Sequence, residues 1–150
     1  MITAKEIMTQ EVISVSQNTS IKDLADLFIK HKVNGFPVLD EDGELTGIVT
    51  EKNLIEQNKN LHIPTVIALF DAVIYLESEK KFEEEMKRFN ATQVKDICST
   101  NVITVSANTD FNEIASLMAT KDVHSIPVVE GKKILGIIGK LDIIKGLARD

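Results

Sequence analysis

Residues 36–49 read FPVLDEDGELTGIV, and residues 126–138 read IPVVEGKKILGII. Each stretch contains two apolar runs separated by a polar turn, a pattern that predicts two strands joined by a hairpin. The similarity extends outward in both directions, because Lys5–Ile55 aligns with Lys95–Ile144 with one residue of gap and about sixteen identities. The chain therefore contains an internal repeat, which has to be recognised before any fold is assigned.

Both copies predict the same order of elements: a strand, an amphipathic helix, two strands and a closing helix. The first strand is predicted at Val12–Val15 and at Val102–Val105, and helix starts are predicted near Ser20, Glu51, Asp110 and Lys140. Each copy is thus a β-α-β-β-α unit of roughly 50 residues, which is marginal as a domain on its own. We predict an α/β (α+β) fold in which two such units pack sheet to sheet, with pseudo-two-fold symmetry, and share a core.

The repeats divide the chain into a first unit at 1–57, a middle segment at 58–93 and a second unit at 94–150. Apolar residues recur at helical spacing in the middle segment and are followed by the charged run EKKFEEEMKR, so we predict a helical insertion of two helices with a break near Ser78. The charged run is most simply a solvated helix face. The apolar face is expected to cover the core, another subunit, or both.

Composition excludes several classes of protein. The 150 residues are 43% apolar and carry a net charge of −6, which argues against a disordered chain and against a nucleic-acid partner. Cys98 is the single cysteine, so no intrachain disulfide can form and a reducing, cytoplasmic location is expected. The first residues lack the features of a signal peptide, and the mostly apolar stretch Ile63–Leu76 is shorter than the ~20 residues of a membrane span. We therefore expect no membrane partner.

The two copies end in GIVTEKNL and GIIGKLDI, and their strand entries read NGFPVLD and HSIPVVE. Tandem β-α-β-β-α units with these motifs resemble a pair of CBS (cystathionine-β-synthase type) domains, a Bateman module, of the stand-alone bacterial type. The resemblance covers about two thirds of the chain directly. It implies a sensor that requires no cofactor and binds an adenosyl compound, such as AMP, ADP, ATP or S-adenosylmethionine, in clefts between the copies.

The ligand motif of this family is Gly, two apolar residues, Ser or Thr, two variable residues and Asp, and each copy departs from it once. The first copy keeps the hydroxyl at Thr50 but has Asn53 in place of the carboxylate, whereas the second has Gly139 in place of the hydroxyl and keeps Asp142. A carboxylate can accept hydrogen bonds from both ribose hydroxyls, and a hydroxyl at a helix start favours phosphate. The resemblance thus predicts two unequal sites, with Asp142 favoured for the ribose.

The resemblance also implies that the opposite copy completes each cleft. For the Asp142 site, with Lys140 inside its motif, the expected residues are Met8, Glu11, Ile13, Val33, Asn34 and Gly35. For the Thr50 and Asn53 site, with Lys52 inside its motif, they are Cys98, Asn101, Ile103, Val123, His124 and Ser125. Backbone groups of Val33 or Val123 would then contact the adenine edge, and His124 would face phosphate. Glu11 would repel phosphate, which favours a ligand with few phosphates or a zwitterion such as S-adenosylmethionine.

The same residues also have interpretations without a ligand. Thr50 with Asn53 is an ordinary helix cap, Asp142 is a favourable acid in a first helical turn, and His124 is an exposed residue at a strand edge. The histidines show no metal-ligand spacing, and no motif for a nucleophile or a phosphate loop is present, so an enzyme is the least supported class. We predict a homodimeric sensor that acts on a separate regulated protein by conformational change. A ligand-independent dimerisation scaffold with degenerate sites is the alternative.

Overall fold

The computed structural model describes residues 2–60 and 92–149, without the side chains of residues 57–60. Of the helical insertion predicted at 58–93, only residues 58–60 and 92–93 are described, so its break near Ser78 and the apolar stretch Ile63–Leu76 lie outside the described residues. In the ranges that are described, no helix has the length and apolar character needed to cross a membrane.

The first half of the chain forms a three-stranded sheet with helices around it. Its elements are α1 (Ala4–Ile7), β1 (Val15–Ser16), α2 (Ile21–His31), β2 (Gly35–Leu39), β3 (Leu45–Thr50) and α3 (Glu51–Asn60). Strand β2 lies in the middle, parallel to β1 and antiparallel to β3. The predicted cap of α2 is present, because the Ser20 hydroxyl accepts a hydrogen bond from the Asp23 N–H at 3.1 Å.

The second half repeats this arrangement. Its elements are α4 (Val94–Ile97), α5 (Phe111–Thr120), β4 (Ser125–Glu130), β5 (Lys133–Gly139) and α6 (Lys140–Ala148). Strands β4 and β5 are antiparallel, and Val105 forms a single parallel bridge with Val128 where the first half has β1. The predicted mixed fold of two similar units, each with a hairpin followed by a helix, is confirmed.

The first strand of each unit is much shorter than predicted. Residues 12–14 and 102–104 lie outside the strands, and only Val15 and Val105, at the ends of the two runs, pair with a neighbouring strand. In the second copy, two of the apolar residues that predicted the strand are covered in another way. Val102 and Ile103 line a cavity between the halves. An apolar side chain can be covered by a cleft as well as by a sheet, so the pattern alone did not distinguish the two.

The short helices α1 and α4, which the sequence analysis missed, are exchanged between the two halves. Ala4 and Ile7 of α1 are buried in the core of the second half, against residues that include Phe111 and Ile114. Val94 of α4 is buried in the core of the first half, with Ile21, Leu24 and Phe36. The described residues therefore form two cores instead of the single shared core we predicted, and each half contributes a helix to the core of the other.

Candidate functional site

A cavity of about 640 Å³ lies between the two halves. Its volume falls within the range of roughly 300–1,000 Å³ that is typical of small-molecule sites. Thr50 of the first copy lines it, together with five of the six residues of the second copy that were expected opposite it: Asn101, Ile103, Val123, His124 and Ser125. Cys98 and Asn53, which were expected at the same site, are not among its lining residues. We refer to it as the Thr50 cavity.

The register of the strands explains why the strand entry of the first copy reaches the Thr50 cavity. Gly35 pairs with Thr50 in the first sheet, and Ser125 pairs with Gly139 in the second. Asn34 therefore stands next to Thr50 of its own copy and lines the Thr50 cavity. This position differs from the one expected, in which Asn34 would help to complete the Asp142 site.

Thr50 and Asn53 form a closed set of hydrogen bonds at the start of α3. The Thr50 hydroxyl and the Thr50 N–H both donate to Asn53 Oδ1, each at 2.9 Å, and the Asn53 N–H donates to Thr50 Oγ1 at 3.2 Å. This is the arrangement of a helix cap. Because Thr50 also lines the cavity, capping the helix and facing a ligand are compatible roles for it.

The Asp142 carboxylate is held in a similar way, but with a partner from the other copy. The Gly139 N–H donates to Asp142 Oδ2 at 2.8 Å, and the Thr9 hydroxyl donates to Asp142 Oδ1 at 3.2 Å. The Thr9 hydroxyl therefore donates to Asp142 in the second copy, as the Thr50 hydroxyl donates to Asn53 in the first. The sequence motif could not reveal this contact, because Thr9 lies in the first copy and 133 positions away from Asp142.

The other residues expected at the Asp142 site lie outside the lining of the Thr50 cavity. Ile13 is 40% exposed, and Lys140 is exposed at the start of α6. Val33 packs against the core of the first half, and Gly35 is buried in β2. Their assignment to a ligand site therefore remains a prediction that rests on the family resemblance.

Several residues that line the Thr50 cavity were missed. They are Ile48, Glu51, Ile55, Glu56, Ser99, Val102 and Asp122. Those on α3 share one face of the helix, since residues four apart in a helix are neighbours, and this spacing was visible in the sequence. Ser99 reaches the cavity because its backbone forms two hydrogen bonds with the backbone of Ile48, each with an N···O distance of 2.9 Å. This contact joins the two halves, and no local sequence pattern predicts it.

At Gly47 and Gly136, the first glycines of the two motifs, a segment from the other half passes close to the backbone. We call this segment the crossing segment. A Cβ atom at Gly47 would lie 2.8 Å from the Ser99 carbonyl oxygen, and one at Gly136 would lie 2.6 Å from Met8 Sδ.

Burial raises the pKa of the Cys98 thiol, and the charge of Asp96 acts in the same direction, so this thiol stays protonated at neutral pH. Among the side chains of residues 2–56 and 92–149, no group of three potential metal ligands is found.

A comparison with protein families agrees with this architecture. The CBS domain family model matches residues 4–60 and residues 94–149. The chain therefore belongs to the CBS domain family and contains a tandem pair of these domains.

The curated relatives and the solved structures are similar over almost the whole chain. The Uncharacterized protein MJ1426 of Methanocaldococcus jannaschii is 29% identical over 95% of this chain and 89% of its own length. Several other relatives are longer, and the chain spans only 22% to 43% of them. CBSX2 in complex with AMP superposes with a TM-score of 0.76 and 21% identity, over 99% of this chain and 98% of CBSX2. The CBS domain pair of MJ0100, in complex with 5′-methylthioadenosine and S-adenosylmethionine, has a TM-score of 0.71 and 23% identity, with 99% and 98% covered.

Proposed function

We propose that this chain is a regulatory module that binds an adenosyl compound in the Thr50 cavity and transmits a conformational change to a partner protein. The observation that carries the proposal is that the lining of the cavity comes from both CBS domains, with Thr50 from one and Val123, His124 and Ser125 from the other. A ligand in such a cavity favours one relative position of the two domains, and it can shift their equilibrium by as much as its affinities for the two positions differ.

Two structural neighbours support the class of ligand. CBSX2 was solved with AMP, and the MJ0100 domain pair with 5′-methylthioadenosine and S-adenosylmethionine. A regulatory rather than catalytic role and a cytoplasmic location, the latter expected from the single cysteine, are parts of the same proposal.

Thermal unfolding of the full chain with AMP, ADP, ATP and S-adenosylmethionine tests the proposal. A ligand present at 100 times its dissociation constant adds about 2.7 kcal/mol to the free energy of unfolding, which is a readily measured rise in Tm. If none of the four compounds raises the Tm, the chain is better described as a ligand-independent scaffold. The internal hydrogen bonds of Asn53 and of Asp142 favour that alternative, since both side chains are already bonded within the protein.

Substitutions at the two motifs identify which cleft binds the ligand. We expect Thr50→Val to weaken binding about tenfold, because it removes a hydroxyl at the cavity wall and releases Asn53, whereas Asp142→Asn should change it less than about twofold. Isothermal titration calorimetry measures both. The opposite order would show that the ligand binds at Asp142, as the family motif favours, and would contradict our assignment to the Thr50 cavity.

The closing helices of both domains expose apolar side chains, which supports the proposal of a homodimer. Ile55 on α3 is 63% exposed, and Leu141, Ile144 and Leu147 on α6 are 58% to 62% exposed. Because the two helices are equivalent in the repeat, a second copy of the chain can cover both in a two-fold contact. We expect a dimer by light scattering, and a monomer for the double variant Leu141→Glu with Ile144→Glu. Ile29→Glu, at a 75% exposed position on α2, is the control that should stay dimeric.

A further inference from the structure

The charged side chains that line the Thr50 cavity restrict the class of ligand. The charged residues of the lining are Glu51, Lys52, Glu56 and Asp122, and all four lie at the exposed rim of the cavity. These give a net charge of −2 with His124 counted as neutral, and the net charge stays negative when His124 is protonated. The Lys52 ammonium group, on a side chain that is 82% exposed, is 4.0 Å from a carboxylate oxygen of Glu56, which partly offsets its positive charge. The cavity therefore presents an unfavourable electrostatic environment to an anion.

Four of the hydrogen-bond donors at the start of α3 are also occupied. A helix start binds phosphate because its first N–H groups normally lack partners within the helix. Here the Thr50 N–H and hydroxyl both donate to Asn53 Oδ1, and the Asn53 N–H donates to Thr50 Oγ1. The Glu51 N–H donates to the Asn34 carbonyl oxygen at 3.3 Å. A phosphate that binds any of these four donors would have to break a bond that the protein already makes.

The remainder of the lining suits an uncharged nucleoside. Its apolar members are Ile48, Ile55, Val102, Ile103 and Val123, which can cover the faces of a base, and Asn34, Asn101 and Ser125 add polar groups. We infer that the Thr50 cavity selects an adenosyl compound that carries no phosphate and whose 5′ substituent is neutral or positively charged, such as a thioether or a sulfonium group. This inference rests on the proposed function and specifies its ligand.

Calorimetric titration of the full chain with 5′-methylthioadenosine, S-adenosylmethionine, AMP and ATP tests this selectivity. We expect the two sulfur compounds to bind about tenfold more tightly than ATP at low ionic strength, and the difference to narrow as added salt screens the carboxylates. If AMP or ATP binds more tightly than both sulfur compounds, the charge selectivity is wrong while the proposed function stands. If none of the four binds, the proposed function fails and this inference fails with it.

Two charge-removing variants separate the effect of charge from that of shape. Asp122→Asn keeps the size of the side chain and suits the left-handed backbone at this position, where φ is 51°. We expect Asp122→Asn and Glu51→Gln each to strengthen AMP binding about threefold, to weaken S-adenosylmethionine binding by a similar factor, and to leave the uncharged 5′-methylthioadenosine unchanged. Glu130→Gln, at the other end of β4 from Ser125, is the control and should change none of them. A similar change for all three ligands would indicate a structural effect and contradict the inference.

Discussion

Replacing Phe36 by alanine is expected to lower the free energy of unfolding by about 3–5 kcal/mol, the usual range for truncating a buried aromatic residue. Phe36 is fully buried in β2, and its ring centroid lies 4.8 Å from that of Phe28 on α2. Val94, from the helix that the second half contributes, belongs to the same core. The truncation would therefore leave a cavity where the two halves of the chain meet. Chemical denaturation measures the loss as a shift of the midpoint.

Ile29→Ala is the matched control, because Ile29 is also apolar but is 75% exposed on α2. We expect it to change the free energy of unfolding by less than about 0.5 kcal/mol. The exchange of α1 and α4 further predicts that both halves unfold in one transition, since each core loses a helix when the other half unfolds. A loss below about 1 kcal/mol for Phe36→Ala would contradict the described core, and two separate transitions would contradict the exchange.

Replacing Gly47 by alanine is expected to lower the free energy of unfolding by about 1–3 kcal/mol, the range for overpacking a close contact. The added Cβ would lie 2.8 Å from the Ser99 carbonyl oxygen and 3.0 Å from Cys98 Sγ. The Ser99 backbone cannot simply move away, because it is held to Ile48 by two hydrogen bonds of 2.9 Å. Since Ile48 and Ser99 both line the Thr50 cavity, the same change is expected to weaken ligand binding.

Gly139→Ala provides the control, because it adds the same methyl group at a motif glycine with space around it. The nearest described atoms to a Cβ at Gly139 are Asp142 Oδ2 at 3.9 Å and the His124 carbonyl oxygen at 4.0 Å. Its φ of −105° is also accessible to alanine, although glycine is the better residue at this N-cap, so we expect a loss below about 1 kcal/mol. Equal stability of the Gly47→Ala and Gly139→Ala proteins would show that the crossing segment does not approach Gly47 closely.

Much of the fold could be predicted from the repeat, and the features of the fold that were not predicted have a common cause. The boundaries of the hairpins and the starts of the helices at Glu51 and Lys140 depend on local periodicity and on local caps, which are visible in one sequence. The exchange of α1 and α4 depends on which half each helix packs against. A local capping signal, Thr3 with Glu6, was present at the start of α1, but it does not specify the partner core.

The residues of the candidate site were likewise predicted only in part. The motif residue Thr50 and the strand entry around His124 were predicted from the repeated motifs, and the structure brings them to one cavity. Asn34 differs from its expected place because the antiparallel register pairs Gly35 with Thr50. The roles of Ser99 and Thr9 were not predictable, because each contacts the opposite copy through a crossing segment.

The two β-α-β-β-α units, the positions of their hairpins and closing helices, and the family they resemble all follow from the sequence alone, because periodicity, caps and repeated motifs act over short distances along the chain. Tertiary packing places a helix from each half in the core of the other half, and it combines lining from both halves in the Thr50 cavity. It also decided that Thr9 supplies the hydroxyl partner of Asp142. These features depend on contacts between residues far apart in the chain, and the free energy of such contacts is set by packing that no local pattern records.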